Sequence, residues 1–411
     1  MNQQVEIAQP LPYLTEDYPG IGGRIRVQLD DFIVEEIPLY KPCGEGQHCY
    51  LFVEKRGIST LELVARLARA LGVPQQAIGY AGLKDARAVA RQWISLDGVP
   101  PERAAELQLE GIRILQASRH RNKLKLGHLA GNRFILRIRD IPRETLPAAE
   151  AVLAELTRRG VPNYFGEQRF GRRDNTHLLG WALLHGDALA FIRAYLGHPL
   201  PDERADLQAA RALVEAGSYA EALGKWPTGL RDERRVLEAL VRAGGDAQRA
   251  LRAVPNPLRR LALSAYQSYL FNRLLAQRIR TLDQLEMGDV AFIHASGAAF
   301  IVQDVAREQP RADRFEISPS GALFGPKCLL AEGAPGERER ALLAETRLSL
   351  EEFRLPGIKL KGARRPYRVP LTDVHVDWDD GLRLEFRLPP GSYATQVLRE
   401  VMKHDGTPVL R

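Results

Sequence analysis

The chain has 411 residues, 45% of them hydrophobic and 27% charged, an ordinary globular composition at a length that predicts two domains rather than one core. No apolar run approaches the ~20 residues that cross a bilayer, and Met1-Asn-Gln-Gln-Val-Glu-Ile7 lacks the basic and apolar regions of a secretion signal, so a cytoplasmic protein without membrane attachment is expected. A net charge of +7 alongside 51 acidic residues implies positive patches on a mixed surface and a polyanionic partner such as nucleic acid.

In chain order, Arg24–Gln28, Phe32–Glu36 and Tyr50–Glu54 read as short strands. Ser59 and Thr60 offer caps for a helix whose apolar positions Leu61, Val64, Leu67, Ala68 and Leu71 recur at helical spacing, and Gly72 and Pro74 stop it. A glycine-punctuated turn leads into a strand through Gln92–Leu96. Over Gly131–Arg139, Phe134, Leu136 and Ile138 share one face while Arg133, Ile135, Arg137 and Arg139 share the other, which predicts a half-buried strand with a basic outer face. A helix follows from about Glu144 to Arg159.

Beyond Gly171 the pattern turns helical: 176–185, 188–196, 203–216, 232–242 and the long stretch 258–280. Strand-like segments return at 289–293, 299–302 and 314–317. The last 60 residues predict a hairpin, Asp373–Trp378 and Leu382–Leu388 around Asp379-Asp380-Gly381, then a helix opening at Gly391-Ser-Tyr-Ala-Thr395 and running through Met402. The order β-rich, helical, β-rich places one domain inside another, with the flanking strands sharing one sheet.

Cys43, Cys49 and Cys328 form no CxxC pair, and Cys43, His48 and Cys49 fit no zinc spacing, so no metal site is expected. Neither a Walker A string nor a GxGxxG after a strand is present, so no nucleotide cofactor is implied. The densest chemistry lies in Gly79-Tyr-Ala-Gly-Leu-Lys-Asp-Ala-Arg-Ala-Val-Ala-Arg-Gln-Trp93. Gly79 and Gly82 allow backbone angles and close approaches that a side chain would block. Asp85 is thereby presented on a turn among Lys84, Arg87 and Arg91, a carboxylate able to serve as nucleophile or base toward a polyanion. Such an acid also reads simply as a solvated turn residue or helix cap.

That string resembles the catalytic signature of the TruD family of pseudouridine synthases, and Val161-Pro-Asn-Tyr-Phe-Gly-Glu-Gln-Arg-Phe-Gly171 resembles the family's second hallmark. The resemblance runs from about Gly20 to Glu400. It implies an α+β fold: a catalytic core with a mixed, largely antiparallel sheet, residues 1–160 and 356–411, interrupted by an inserted α/β TRUD domain, residues 161–355, with a cleft between them. It implies isomerisation of uridine to pseudouridine in tRNA, at uridine 13 of the D arm, without cofactor or metal and with no protein partner.

Residue by residue, Asp85 matches the family's catalytic aspartate, and Phe32 a phenylalanine that packs on the target base. The family's lysine six residues before that phenylalanine is Arg26 here, a departure that offers a two-pronged guanidinium instead of an ammonium. Asn132 and Phe134 match the family's Asn-x-Phe, an amide for the uracil edge or sugar hydroxyls and a ring for the base. Tyr393 stands where the family has phenylalanine before the last helix. Lys84, Arg121, Lys123, Lys125, Arg169 and Arg172 are the expected RNA contacts, with Arg133, Arg137 and Arg139 continuing a basic track. The segment Ser318–Lys327 resembles a family loop near the cleft. Other readings are a synthase for another RNA, a noncatalytic RNA-binding or chaperone protein retaining the fold, and a metal-dependent nuclease, for which Asp85 lacks the clustered carboxylates and histidines.

Overall fold

A computed structural model describes residues 10–358 and 360–403. Two compact units divide it between Asn163 and Tyr164 and between Arg368 and Val369, against expected joints after residues 160 and 355. Among the described residues, the first unit joins Tyr13–Asn163 to Val369–Lys403, and the second is Tyr164–Arg368 together with Pro10–Pro12.

The first unit is built on one mixed sheet of eight strands: β1 (Phe32–Pro38), β2 (His48–Arg56), β3 (Ile78–Tyr80), β4 (Val89–Asp97), β5 (Ile112–His120), β6 (Leu129–Ile138), β7 (Thr372–Trp378) and β8 (Leu382–Leu388). Their order is β7-β8-β6-β1-β4-β2-β5, with β3 pairing on β4. Only β1 and β4 run parallel; every other ladder in this sheet is antiparallel. Strands from both ends of the chain thus share the sheet, β8 pairing with β6 from Leu382 opposite Ile138 to Leu388 opposite Asn132.

One face of the sheet is dry. Phe32 and Val34 of β1, Phe134, Leu136 and Ile138 of β6, and Leu382, Leu384, Phe386 and Leu388 of β8 all point into it and are buried, as two-residue periodicity requires. Helix α1 (Thr60–Leu71) covers part of this face, its Leu63, Val64 and Leu67 clustering with Leu51, Val53, Ile94 and Leu96. The Ser59 hydroxyl accepts the Glu62 N–H at 3.1 Å, and Gly72 ends the helix at φ 68°, a left-handed cap suited to glycine. Helix α2 (Leu146–Arg159) and helix α3 (Ala394–Met402) also belong to the unit, with a short helix at Pro101–Ala105.

Across β1, β6 and β8 the opposite face carries a lattice of ion pairs instead of the open basic track expected from the alternating arginines, while along β2 and β4 the same face buries Tyr50 and Trp93. Arg133 meets Glu35 and Glu385, Arg137 meets Asp379, and Arg139 meets Asp31 and Asp380. Arg91, also expected beside the catalytic turn, is held between Glu35 and Glu54. Register places Glu35 opposite both Arg133 and Arg91, and Glu54 opposite Arg91. Asp379 and Asp380 come from the β7–β8 turn and Asp31 from the short segment before β1, partnerships invisible until the fold is known.

Two further local expectations change. Arg24–Gln28 is not a strand: Arg24 makes a single bridge to Arg139, and Arg26 adopts φ 58°, which breaks the extended course. Ser318–Leu323 is not a loop but most of the strand Ile317–Leu323, central in a four-stranded sheet of the second unit. Pro319 ends the ladder to Val290–Ile293, and Ser320 opens the ladder to Ala363–Pro366, so the missing N–H falls where the pairing changes hands. The strand predicted at 314–317 is displaced forward because Phe315 sits at φ 56°.

The rest of the second unit is helical around a core that includes Phe191, Leu196, Val236, Leu237 and Leu240. The second hallmark lies against its long helix Asn256–Arg278. The Asn272 side chain receives the Phe165 N–H and donates to the Phe165 carbonyl, each at 2.9 Å. No described helix is long and apolar enough to cross a membrane.

Candidate active site

Asp85 lies in the loop between β3 and β4, which runs along the dry face of the sheet beside α1. Burial alternates along it: Leu83 is exposed, Lys84 buried and Asp85 exposed, with 46% of the Asp85 side chain open. The loop begins with a close approach, since a Cβ on Gly79 would lie 2.3 Å from the Leu124 carbonyl oxygen. Gly82 has neither a left-handed φ nor a crowded Cβ position, so the need for glycine expected there has no basis in this geometry.

The Arg26 guanidinium donates to Asp85 Oδ2 at 3.0 Å. Its carbon stands 4.1 Å from the centre of the Phe32 ring, close enough for cation–π attraction. Phe32 meets Phe134 edge-on at 6.4 Å between centroids, and Phe134 meets Phe386 at 5.6 Å. Acid, guanidinium and rings therefore form one continuous layer. Both phenylalanines are buried, and one face of Phe32 is already occupied by Arg26, so a base arriving here meets the guanidinium plane or ring edges first. That differs from direct stacking on an open phenylalanine face.

Beneath Asp85 the chemistry is internal. Lys84, expected to touch RNA, is only 8% exposed. Its ammonium pairs with Glu36 Oε2 at 3.3 Å and donates to Asn132 Oδ1, so it is corrected from phosphate contact to buried ion-pair partner. Burial raises the Glu36 pKa above the ordinary carboxylate value, opposed by Lys84 and by the Trp93 N–H. Burial likewise lowers Lys84, opposed by Glu36. Because an ammonium can only donate, it fixes the Asn132 amide with its oxygen inward and leaves the NH2 group for anything bound alongside.

The Lys84 N–H donates to Thr60 Oγ1 at 2.8 Å, and that hydroxyl donates to Gln92 Oε1 at 2.9 Å. Lys55 Nζ donates to the carbonyls of Ile58, Asp85 and Lys84 at 2.6, 2.7 and 3.3 Å. The sequence did carry a signal for Glu36 and Lys55: each occupies an inward-facing position of an alternating strand, where a charge must find a partner.

The remaining candidates scatter. Tyr393 is exposed at the N-cap of α3, five residues after Leu388, which pairs with Asn132, and it makes no described contact with the Asp85 group. Arg121 pairs with Glu45, and Lys123 donates to the Gln76 carbonyl. Lys125 is exposed and forms no ion pair with any described residue. In the second unit, Arg169 is tied to Ser268 at 3.0 Å and to Ser264, and lies over the Phe165 ring. Those bonds brace the hallmark turn. Arg172 is exposed without an ion pair to any described residue.

A family model described as tRNA pseudouridine synthase D (TruD) matches residues 10–401 of this chain. The tRNA pseudouridine synthase D of Geobacter metallireducens is 52% identical over 396 residues, covering 95% of this chain and 97% of its own. That of an Anaeromyxobacter species is 39% identical over 394 residues, covering 95% and 96%. A crystal structure of a TruD protein from Methanosarcina mazei superposes with a TM-score of 0.84 at 32% identity, covering 97% of both chains.

Proposed function

The chain belongs to the TruD family of tRNA pseudouridine synthases, and from that premise we propose that it isomerises uridine 13 in the D arm of tRNA, with Asp85 as the essential acid. The observation that carries the reading is the half-open Asp85 carboxylate held by Arg26 above Phe32. Pseudouridine formation breaks the bond from C1′ to N1, turns the base and rejoins it through C5, with no redox change and no group donor. An everted base, one carboxylate and a surface to hold the ring suffice.

In this arrangement the uracil lies against the Arg26–Phe32 layer. The free NH2 of Asn132 donates to a uracil carbonyl or a sugar hydroxyl, and Asp85 acts on the base, the sugar carbon or the 2′ proton. Tyr393 closes on the base from the start of α3. The test uses unmodified tRNA tritiated at uridine C5: released tritium, with pseudouridine mapped at position 13, is the expected result. Pseudouridine at another position would keep the chemistry and replace the target.

Arg26→Ala is expected to lower turnover by ~10–100-fold and tRNA affinity by less than about threefold, because the guanidinium orients Asp85 and does not bind the RNA backbone. Steady-state kinetics with a separate binding assay check this; equal losses in both would make Arg26 a phosphate contact.

With Arg121, Lys123 and Arg169 already engaged, Lys125 and Arg172 are, of the cations expected to contact RNA, the most available to phosphates. Reversing both to glutamate is expected to weaken tRNA binding and reduce the slope of log K against log salt by about 1 per lost contact. An unchanged slope in a salt titration would return them to a solvated edge.

A further inference from the structure

Resting on the assignment of Asp85 as the reacting acid, we propose that Lys55 is a positioning residue for it, clamping the backbone of the catalytic loop from beneath through the carbonyl groups of Lys84 and Asp85. Lys55 belongs to β2, faces the dry side of the sheet and has no exposed surface. Its three carbonyl partners match the three N–H bonds of an ammonium. Two of them are consecutive, and one is the carbonyl of Asp85 itself.

The hold is two-sided. Thr60 at the start of α1 takes the Lys84 N–H, while Lys55 takes the Lys84 and Asp85 carbonyls. Between them they fix the peptide units that aim the Asp85 side chain at Arg26. A neutral amine has only two N–H bonds for three carbonyls and turns a lone pair toward one of them, so the clamp depends on the proton.

The surroundings put that proton within experimental reach. Burial pushes Lys55 down to about 8, with the Asp85 carboxylate raising it and the Lys84 ammonium lowering it further. Its cross-strand neighbours Ala90 and Ile112 are uncharged, as is Thr60 on α1, and the buried Glu36 pairs with Lys84. Because the folded-state value lies below the ordinary lysine value of 10.5, the unfolded chain binds more protons between the two values. Stability contributed by this group therefore rises with pH across that window. A loss of turnover there is not unfolding caused by Lys55.

The experiment measures kcat and KM for tRNA between about pH 6.5 and about pH 9.5 in the unaltered protein, Lys55→Arg and Lys55→Met, with thermal melts on each. The unaltered protein is expected to lose kcat above about pH 8 while KM changes by less than about threefold. Lys55→Met is expected to melt cooperatively and to lose ~10–100-fold in kcat at neutral pH with KM within about threefold. Lys55→Arg is expected to regain part of that loss and to lack the alkaline fall, since guanidinium does not titrate there. The inference is overturned by a folded Lys55→Met with kcat within about threefold of the unaltered protein, or by an alkaline fall absent from the unaltered protein. Should Lys55→Met fail to fold, the other two profiles decide, and the same fall in both overturns it. No isomerisation by the unaltered protein at any pH removes the functional assignment, and the inference with it.

Discussion

Asp85→Asn is expected to lower isomerisation by ~10³-fold or more while tRNA affinity stays within about tenfold. Asparagine is isosteric and keeps an oxygen for Arg26, so the loop, the guanidinium and the phenylalanine layer should hold their places. What disappears is the group that can add to a carbon or take a proton. Affinity is expected to come from elsewhere, from phosphate contacts over the surface, and one group at the base contributes only ~1–2 kcal/mol. Single-turnover tritium release and filter binding on the same preparation separate the two quantities. Turnover near the original rate in Asp85→Asn would remove Asp85 from the mechanism whatever the RNA affinity. A parallel collapse of binding would instead make the loop an RNA contact.

The sequence exposed local order well and partnership poorly. The helix capped by Ser59, the hairpin around Asp380-Gly381 and the long helix near Asn256–Arg278 are written in periodicity and in residues suited to caps and turns, which are local properties. Arg26, Phe32 and Phe134, which stand around Asp85, were legible only through the family resemblance of separate segments, not through the cations of the Asp85 string itself, while the shared sheet was legible in the β, helical, β order. The fates of the individual cations were not. Lys84 looks like a solvent-facing neighbour of Asp85 until β1 brings Glu36 to it, and Arg133 looks like half of a basic stripe until β8 brings Glu385. Arg169 looks like a guanidinium for RNA until the helix at Ser264 and Ser268 receives it. Each correction comes from a residue far away in the chain, and composition carries no record of which charge will face which. For Lys55 the inward position signalled that a partner was needed, but not which one, because backbone carbonyls leave no trace in side-chain chemistry.

The buried pair beneath Asp85 makes the second large prediction. Lys84→Met keeps the length of the side chain but leaves Glu36 without its cation and Asn132 Oδ1 without its donor. Breaking a buried pair from one side costs ~3–5 kcal/mol, here expected at neutral pH. The penalty has a predictable pH dependence. Glu36 is already raised by burial, and Lys84 is the chief influence opposing that rise; without Lys84 its folded-state pKa climbs further. A carboxyl raised above its unfolded value contributes stability fully below that value, ordinarily 4.5, and loses it as pH rises through the folded-state value. Lys84→Met should therefore approach the unaltered protein in stability near about pH 5 and fall behind it steadily toward about pH 8. Urea midpoints measured across that range test the slope. Adding Glu36→Gln to Lys84→Met removes the titrating group while keeping an acceptor for the Trp93 N–H, and should restore most of the lost stability and flatten the pH dependence. A steep slope surviving in the double variant would place the titrating group elsewhere. A Lys84→Met protein with the original midpoints at every pH would mean that the pair does not brace the loop on which Asp85 stands.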